Sequence, residues 1–324
     1  MINPELAHPH DLLTRSILVD PELMGSLLEN YIESGVVSLL DLAKLRCESP
    51  VNVDKNLKET IGDLRFSTVS KQSGRQSNVF VFFEHQSTYD ELMSFQALEQ
   101  IVKAYREFID AARKIGGLPK SFPYPIVVIL YHGNRPWGKL KRMHDLIERI
   151  SEIAGDILGF PMFLIDLSLI PSEELKGHPA LQALLETLQL GSMGKLESGF
   201  DRVTDRLSAV RNDPRAPGWM NALVRYAISL CRIGQEAIYN AFHKILDEKE
   251  AKKMVMSTAQ ELMLKGEVKK AREMVLRFLE GRFGKVPQSI SDEVNAYSDS
   301  IALDSLAVLA GACKSLDEFK DALR

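Results

Sequence analysis

The chain has 324 residues, of which 45% are hydrophobic, and a formal net charge of −4; that is enough to bury a sizeable core as one α/β domain with a helical region beside it. The longest apolar runs, such as Pro125-Ile126-Val127-Val128-Ile129-Leu130, are strand-length and exclude a bilayer-spanning helix. Met1-Ile2-Asn3-Pro4-Glu5 lacks the basic-then-apolar opening of a secretory signal, and Cys47, Cys231 and Cys313 are far apart and without zinc-type spacing, so a reduced, cytoplasmic chain is expected.

In chain order, Leu12, Ile17, Leu23, Leu27 and Tyr31 predict a helix from Asp11 to Glu33. Leu45 to Val53 and Leu57 to Ser70 read as successive strands, and Val79 to Gln86 as the most hydrophobic one. Ser70-Lys71-Gln72-Ser73-Gly74-Arg75-Gln76-Ser77 is the polar connection that returns the chain antiparallel. Tyr89 to Lys114 carries Leu92, Phe95, Leu98, Val102, Tyr105 and Ile109 at helical spacing, and Gly116-Gly117-Leu118-Pro119 ends it. Ile126 to Tyr131 is a buried strand, Leu140 to Leu158 a helix, and Met162 to Leu167 a last strand. The order α-β-β-β-α-β predicts an α/β fold with a mixed sheet flanked by helices.

From Pro179 the strand signals fade and helical patterns follow one another through Leu181 to Leu190, Lys195 to Arg211, Met220 to Asp247 and Lys249 to Phe283. The expected division is therefore 1–175 for the sheet domain and 176–324 for an all-helical region. Leu264, Val268, Ala271, Val275 and Phe278 form an apolar stripe. Either neighbouring helices of the same chain cover it, or a second copy does, giving a homo-oligomer through the C-terminal helices.

Asp63, in Ile61-Gly62-Asp63-Leu64-Arg65-Phe66, and the pair Glu84 and Gln86 at the end of the apolar run from Asn78 carry the chemistry. Alternate strand residues share a face, so Glu84 and Gln86 point the same way, in the row of Phe80 and Phe82. Two carboxylates placed side by side repel unless a cation lies between them, and oxygen donors suit Mg²⁺ or Mn²⁺. The pattern fits metal-dependent phosphodiester hydrolysis, and on spacing alone it also fits a sheet with two ordinary acids at its edge.

The N-terminal half resembles the recombination-promoting nuclease and transposase-like family within the PD-(D/E)XK nuclease superfamily. The resemblance rests on His10-Asp11-Leu12-Leu13-Thr14-Arg15, Gly62-Asp63-Leu64, Phe83-Glu84-His85-Gln86-Ser87 and Leu130-Tyr131-His132-Gly133, in the family's order, and it covers residues 8 to 170. Lys265-Gly266-Glu267 through Leu279-Glu280-Gly281-Arg282-Phe283-Gly284 is similar to the helical tail often joined to this domain. The resemblance implies a restriction-endonuclease-like core, a Mg²⁺-dependent (or Mn²⁺-dependent) DNA endonuclease linked to recombination or mobile elements, and metal ligation by Asp63 and Glu84. Gln86 stands where many superfamily members have lysine; an amide orients water or phosphate but carries no charge. Thr14 and Arg15 replace the phenylalanine and lysine common in the family, and Arg15 keeps a charge that can approach phosphate. Asp11 is either a further acidic contributor or the N-cap of the first helix.

A net charge of −4 requires any DNA contact to come from a local basic surface. Candidates are Lys71 and Arg75 in the hairpin, and Arg135, Lys139, Lys141 and Arg142 after the third strand. The C-terminal set Lys252, Lys253, Lys265, Lys269, Lys270 and Arg272 reads as a solvated helix face. His85 faces away from Glu84 on a regular strand and reads as a packing residue, while His132 reads as a structural hydrogen-bonder or a substrate contact. No Gly-x-Ser-x-Gly elbow, Walker loop or dinucleotide fingerprint is present. The alternative to a nuclease is a catalytically weak DNA-binding or assembly protein that keeps the nuclease fold.

Overall fold

The computed structural model describes residues 9–48, 64–71, 78–147, 159–231 and 233–323. The chain divides into two compact units, 1–251 and 252–324. The last described strand ends at Asp166, and helices from Pro179 to His243, beyond the expected boundary at residues 175/176, belong to the same unit as the sheet.

The first unit is built on five strands in the order β1 (Arg46–Cys47), β2 (Leu64–Val69), β3 (Asn78–Gln86), β4 (Tyr124–Tyr131) and β5 (Met162–Asp166). β1, β2 and β3 pair antiparallel, whereas β3, β4 and β5 are parallel, so the sheet is mixed. β3 lies at its centre and is buried from Val79 to Glu84, as its near-continuous apolar sequence requires.

The helix predicted from Asp11 to Glu33 is two helices, α1 (Pro9–Leu18) and α2 (Pro21–Tyr31). Pro21 cannot donate to the preceding turn, and the Asp20 carboxylate caps the new helix by accepting from the Glu22 N–H at 3.0 Å. The short α3 (Ser34–Val37) follows. α4 (Met93–Lys114) crosses one face of the sheet and begins four residues later than predicted. Asp90 sets that start: its carboxylate accepts from the Leu92 N–H at 2.7 Å and from Gln96 Nε2 at 2.8 Å. α4 meets the sheet through Met93, Ala97, Ile101 and Ala104, which pack with Phe80, Phe82, Val127, Ile129 and Tyr131. Small residues in that row let the helix approach closely. The row singled out in the sequence faces outward in part, with Leu92, Phe95 and Val102 exposed.

α5 (Met143–Leu146) is a single turn, and the rest of the predicted helix to Leu158 lies outside the described residues. On the other side of the sheet, α6 (Pro179–Ser192) is buried from Ala180 to Leu190 save Gln182, as an apolar helix covered on every side must be. It packs on α1 and on α7 (Leu196–Ser208). Its one buried acid, Glu186, is paired with Arg206 and Arg202 of α7. The helix predicted from Met220 to Asp247 is likewise two, α8 (Ala216–Ser229) and α9 (Gln235–His243), separated around Gly234.

α10 (Glu248–Phe283) runs into the second unit. There α11 (Gln288–Ala296), α12 (Ser300–Ala312) and α13 (Leu316–Ala322) close a separate core around Val275, Leu279, Val294, Leu303 and Phe319. Ala271 and Val275 of the predicted stripe are buried in it, while Leu264 and Phe278 are exposed. The three cysteines are free, and no described helix is long and apolar enough to cross a membrane.

Candidate functional site

The parallel strands β3, β4 and β5 end together. Gln86 lies opposite Tyr131, and Tyr131 opposite Asp166. One step inside that edge, Glu84 pairs with Ile129 and is 2% exposed. By alternation Glu84 and Gln86 face the α4 side, in the row of Phe80 and Phe82. A carboxylate held at that depth bears a large desolvation cost, which function-bearing sites accept more often than scaffolds do. The antiparallel register of β2 is described as far as Leu64 opposite Phe83; Asp63 lies outside the described residues.

Asp166, which the sequence reading passed over, closes β5 as Glu84 and Gln86 close β3. Its Oδ1 accepts from the Ser168 N–H at 3.0 Å and from Ser168 Oγ at 2.6 Å, and its Oδ2 from the Trp137 N–H at 2.7 Å. The carboxylate thus ties the loop after β4 to the end of β5. The Tyr131 hydroxyl donates to the Arg135 carbonyl at 2.7 Å, and the Trp137 ring meets Tyr131 edge-to-face at 5.0 Å. Tyr131 folds over Gly133 so closely that a Cβ there would come within 1.9 Å of its hydroxyl oxygen. Tyr89 contacts Trp137 from the loop after β3 at 5.1 Å, and Lys141 pairs with Glu91 at 3.3 Å. These contacts bind the two loops into one rim at the carboxyl ends of the strands.

The opposite face carries three histidines. His85 Nδ1 and the Asp11 carboxylate are 2.7 Å apart, so Asp11, inside the first turn of α1, serves a histidine rather than the helix cap. The His85 and His132 rings stack at 4.6 Å, His10 leans on His132 at 4.5 Å, and the Tyr226 hydroxyl lies 2.9 Å from His10 Nδ1. The His132 ring is held by this stacking, and its backbone N–H donates to the Gln86 carbonyl at 3.1 Å. Burial, aided by the neighbouring His85, lowers the His10 pKa from 6.5 to about 4. Burial with both neighbours takes His132 down to about 2. His10 and His132 are thus held as neutral rings in a packed cluster.

The remaining predicted residues separate. Arg15 sits one turn after Asp11 on α1, on the same face. Arg135 and Lys139 lie in the loop after β4, at the same end as Gln86. Lys71 does not: it follows β2 beyond Val69, which pairs with Asn78 at the start of β3, six residues and roughly 20 Å of strand from Glu84. Arg75 lies outside the described residues. Among the described residues no three His, Cys, Asp or Glu side chains form a metal-holding group. Among the described residues, Glu84 brings a carboxylate and Gln86 an amide oxygen to one face of this strand end, donors of the kind that suit Mg²⁺, an ion that keeps most of its waters and takes one or two carboxylates.

The family described as "Putative transposase, YhgA-like" matches residues 8–215. The chain is 24% identical to "Recombination-promoting nuclease RpnA" of Escherichia coli K12 over 288 residues, 86% of this chain and 92% of that one. It is 27% identical over 192 residues to "Recombination-promoting nuclease RpnD" of Escherichia coli O157:H7, covering 58% of this chain and 70% of the relative. It is also 23% identical over 271 residues to "Inactive recombination-promoting nuclease-like protein RpnE" of Escherichia coli K12, covering 82% and 85%. No solved structure matches the chain.

Proposed function

Because the chain belongs to the family described as "Putative transposase, YhgA-like", we propose that it is a metal-dependent DNA endonuclease with a restriction-endonuclease-like core of the PD-(D/E)XK type. The observation that carries this reading is Glu84, a carboxylate buried to 2% exposure one step inside the carboxyl edge of the central strand, with Gln86 beside it on the same face. Two relatives named as recombination-promoting nucleases support it.

In this reading Asp63 and Glu84 hold Mg²⁺ or Mn²⁺, which when bound lowers the pKa of a water and offsets charge growing on the phosphate. Gln86 orients the water or a phosphate oxygen through its amide. Arg135 and Lys139, on the loop at that end of the sheet, meet the flanking phosphates. The His85 cluster lies on the opposite face and fixes the strand end from behind.

The second reading, a DNA-binding protein that has lost catalysis, is favoured by Gln86 in the lysine position and by the relative named inactive. Supercoiled plasmid separates the two. Wild-type chain and Asp63→Ala, both checked for folding, are incubated with Mg²⁺, Mn²⁺ or excess chelator. Metal-dependent nicking that disappears in the variant is expected; salt-sensitive binding with no nicking at any metal would leave the second reading standing.

A further inference from the structure

Tyr89 stands three residues after Gln86 and is 43% exposed. It is not a loose surface ring. It contacts Trp137 at 5.1 Å and an interplanar angle of 67°, an edge-to-face contact that leaves ring surface in solvent. Trp137 itself is 4% exposed and held by Tyr131 at 5.0 Å and by the Asp166 carboxylate at its backbone N–H. Leu92 and Phe95 carry the exposed apolar surface onward to the start of α4. Arg135, two residues before Trp137 in the same loop, is exposed.

From this arrangement we infer that Tyr89 is a stacking surface for an unpaired nucleobase, so that the site takes DNA with single-stranded character. The inference rests on the nuclease reading and names its substrate. An aromatic ring fixed in advance on a buried base binds a flat, apolar face without first losing side-chain freedom. Bases in a duplex have both faces covered by their neighbours, whereas an unpaired base offers one to a ring at the mouth of the site. Arg135 supplies the charge complement for the phosphate next to that base. Stacking on an aromatic ring is tolerant of sequence, so selection is for strand state rather than for letters.

The test uses the full chain with a single-stranded oligonucleotide carrying one 2-aminopurine, in chelator so that nothing is cut, with the same probe in duplex as control. Wild type and Tyr89→Phe are expected to quench the single-stranded probe, and Tyr89→Ala to bind it roughly tenfold more weakly at an unchanged melting midpoint. Equal quenching by wild type and Tyr89→Ala, or none by wild type, overturns the inference; so does equal quenching of duplex and single strand. The plasmid assay reports on the nuclease reading separately. Nicking without quenching sinks only the stacking role of Tyr89, and Tyr89-dependent quenching without nicking sinks only the nuclease.

Discussion

At the carboxyl end of β3, the two faces of one strand carry polar chemistry of opposite kinds. Toward α1, His85 is engaged with Asp11 and stacked on His132, and His10 is met by Tyr226, so the rings form a packed cluster. Toward α4, Glu84 is buried and Gln86 half-buried, and Tyr89, Trp137 and Arg135 form the rim at the same end of the sheet. Period-two alternation thus separates the packed histidine face from the proposed site within three consecutive residues.

The contrast is broken most sharply by Glu84→Gln. Loss of plasmid nicking by a factor on the order of 10²–10³ or more is expected, while the melting midpoint holds or rises because a buried charge becomes a neutral amide. Wild-type nicking by a folded Glu84→Gln would erase the difference between the faces. Gly133→Ala tests the rim. The new Cβ must displace Tyr131, and overpacking of this kind costs about 1–3 kcal/mol, or about 2–10 °C in melting midpoint. A midpoint equal to wild type would mean that the loop is not pinned as described.

The effect on the histidine face is read in pH. The folded-state pKa values of His10 and His132 lie below the ordinary 6.5, so the unfolded chain binds protons that the folded rings refuse. Stability is therefore complete above pH 6.5 and declines as pH falls below it, through about 4 for His10. Melting curves between pH 7.5 and 5 check this before most carboxylates titrate; a flat profile would show that the rings are not buried neutral.

How much of this was legible in the sequence follows from which interactions are local. β3 could be read as a strand because nine residues in a row are apolar or close the run, and the facing of Glu84 and Gln86 follows from the same alternation. The break at Asp20-Pro21 was also written in local terms, as a cap followed by proline, but the apolar spacing ran through it. The buried row of α4 was not legible, because Met93 and Ala97 are chosen by their fit to the sheet and Leu92 and Phe95 look more apolar. His10, His85 and His132 come from three separate segments and meet only through tertiary packing. Lys71 was misjudged as a neighbour of the site because a hairpin joins the ends of two strands, and this hairpin joins the ends remote from Glu84.

The hydrogen bond between Tyr226 and His10 also fixes where the chain can be shortened. The family match ends at residue 215, immediately before α8, which packs on α1 and carries Tyr226. A truncation at that point would keep every family-matched residue yet strip α1 of the helix beside it. What surrounds Leu13, Ile17 and His10 belongs to a compact unit that runs past residue 215 to residue 251.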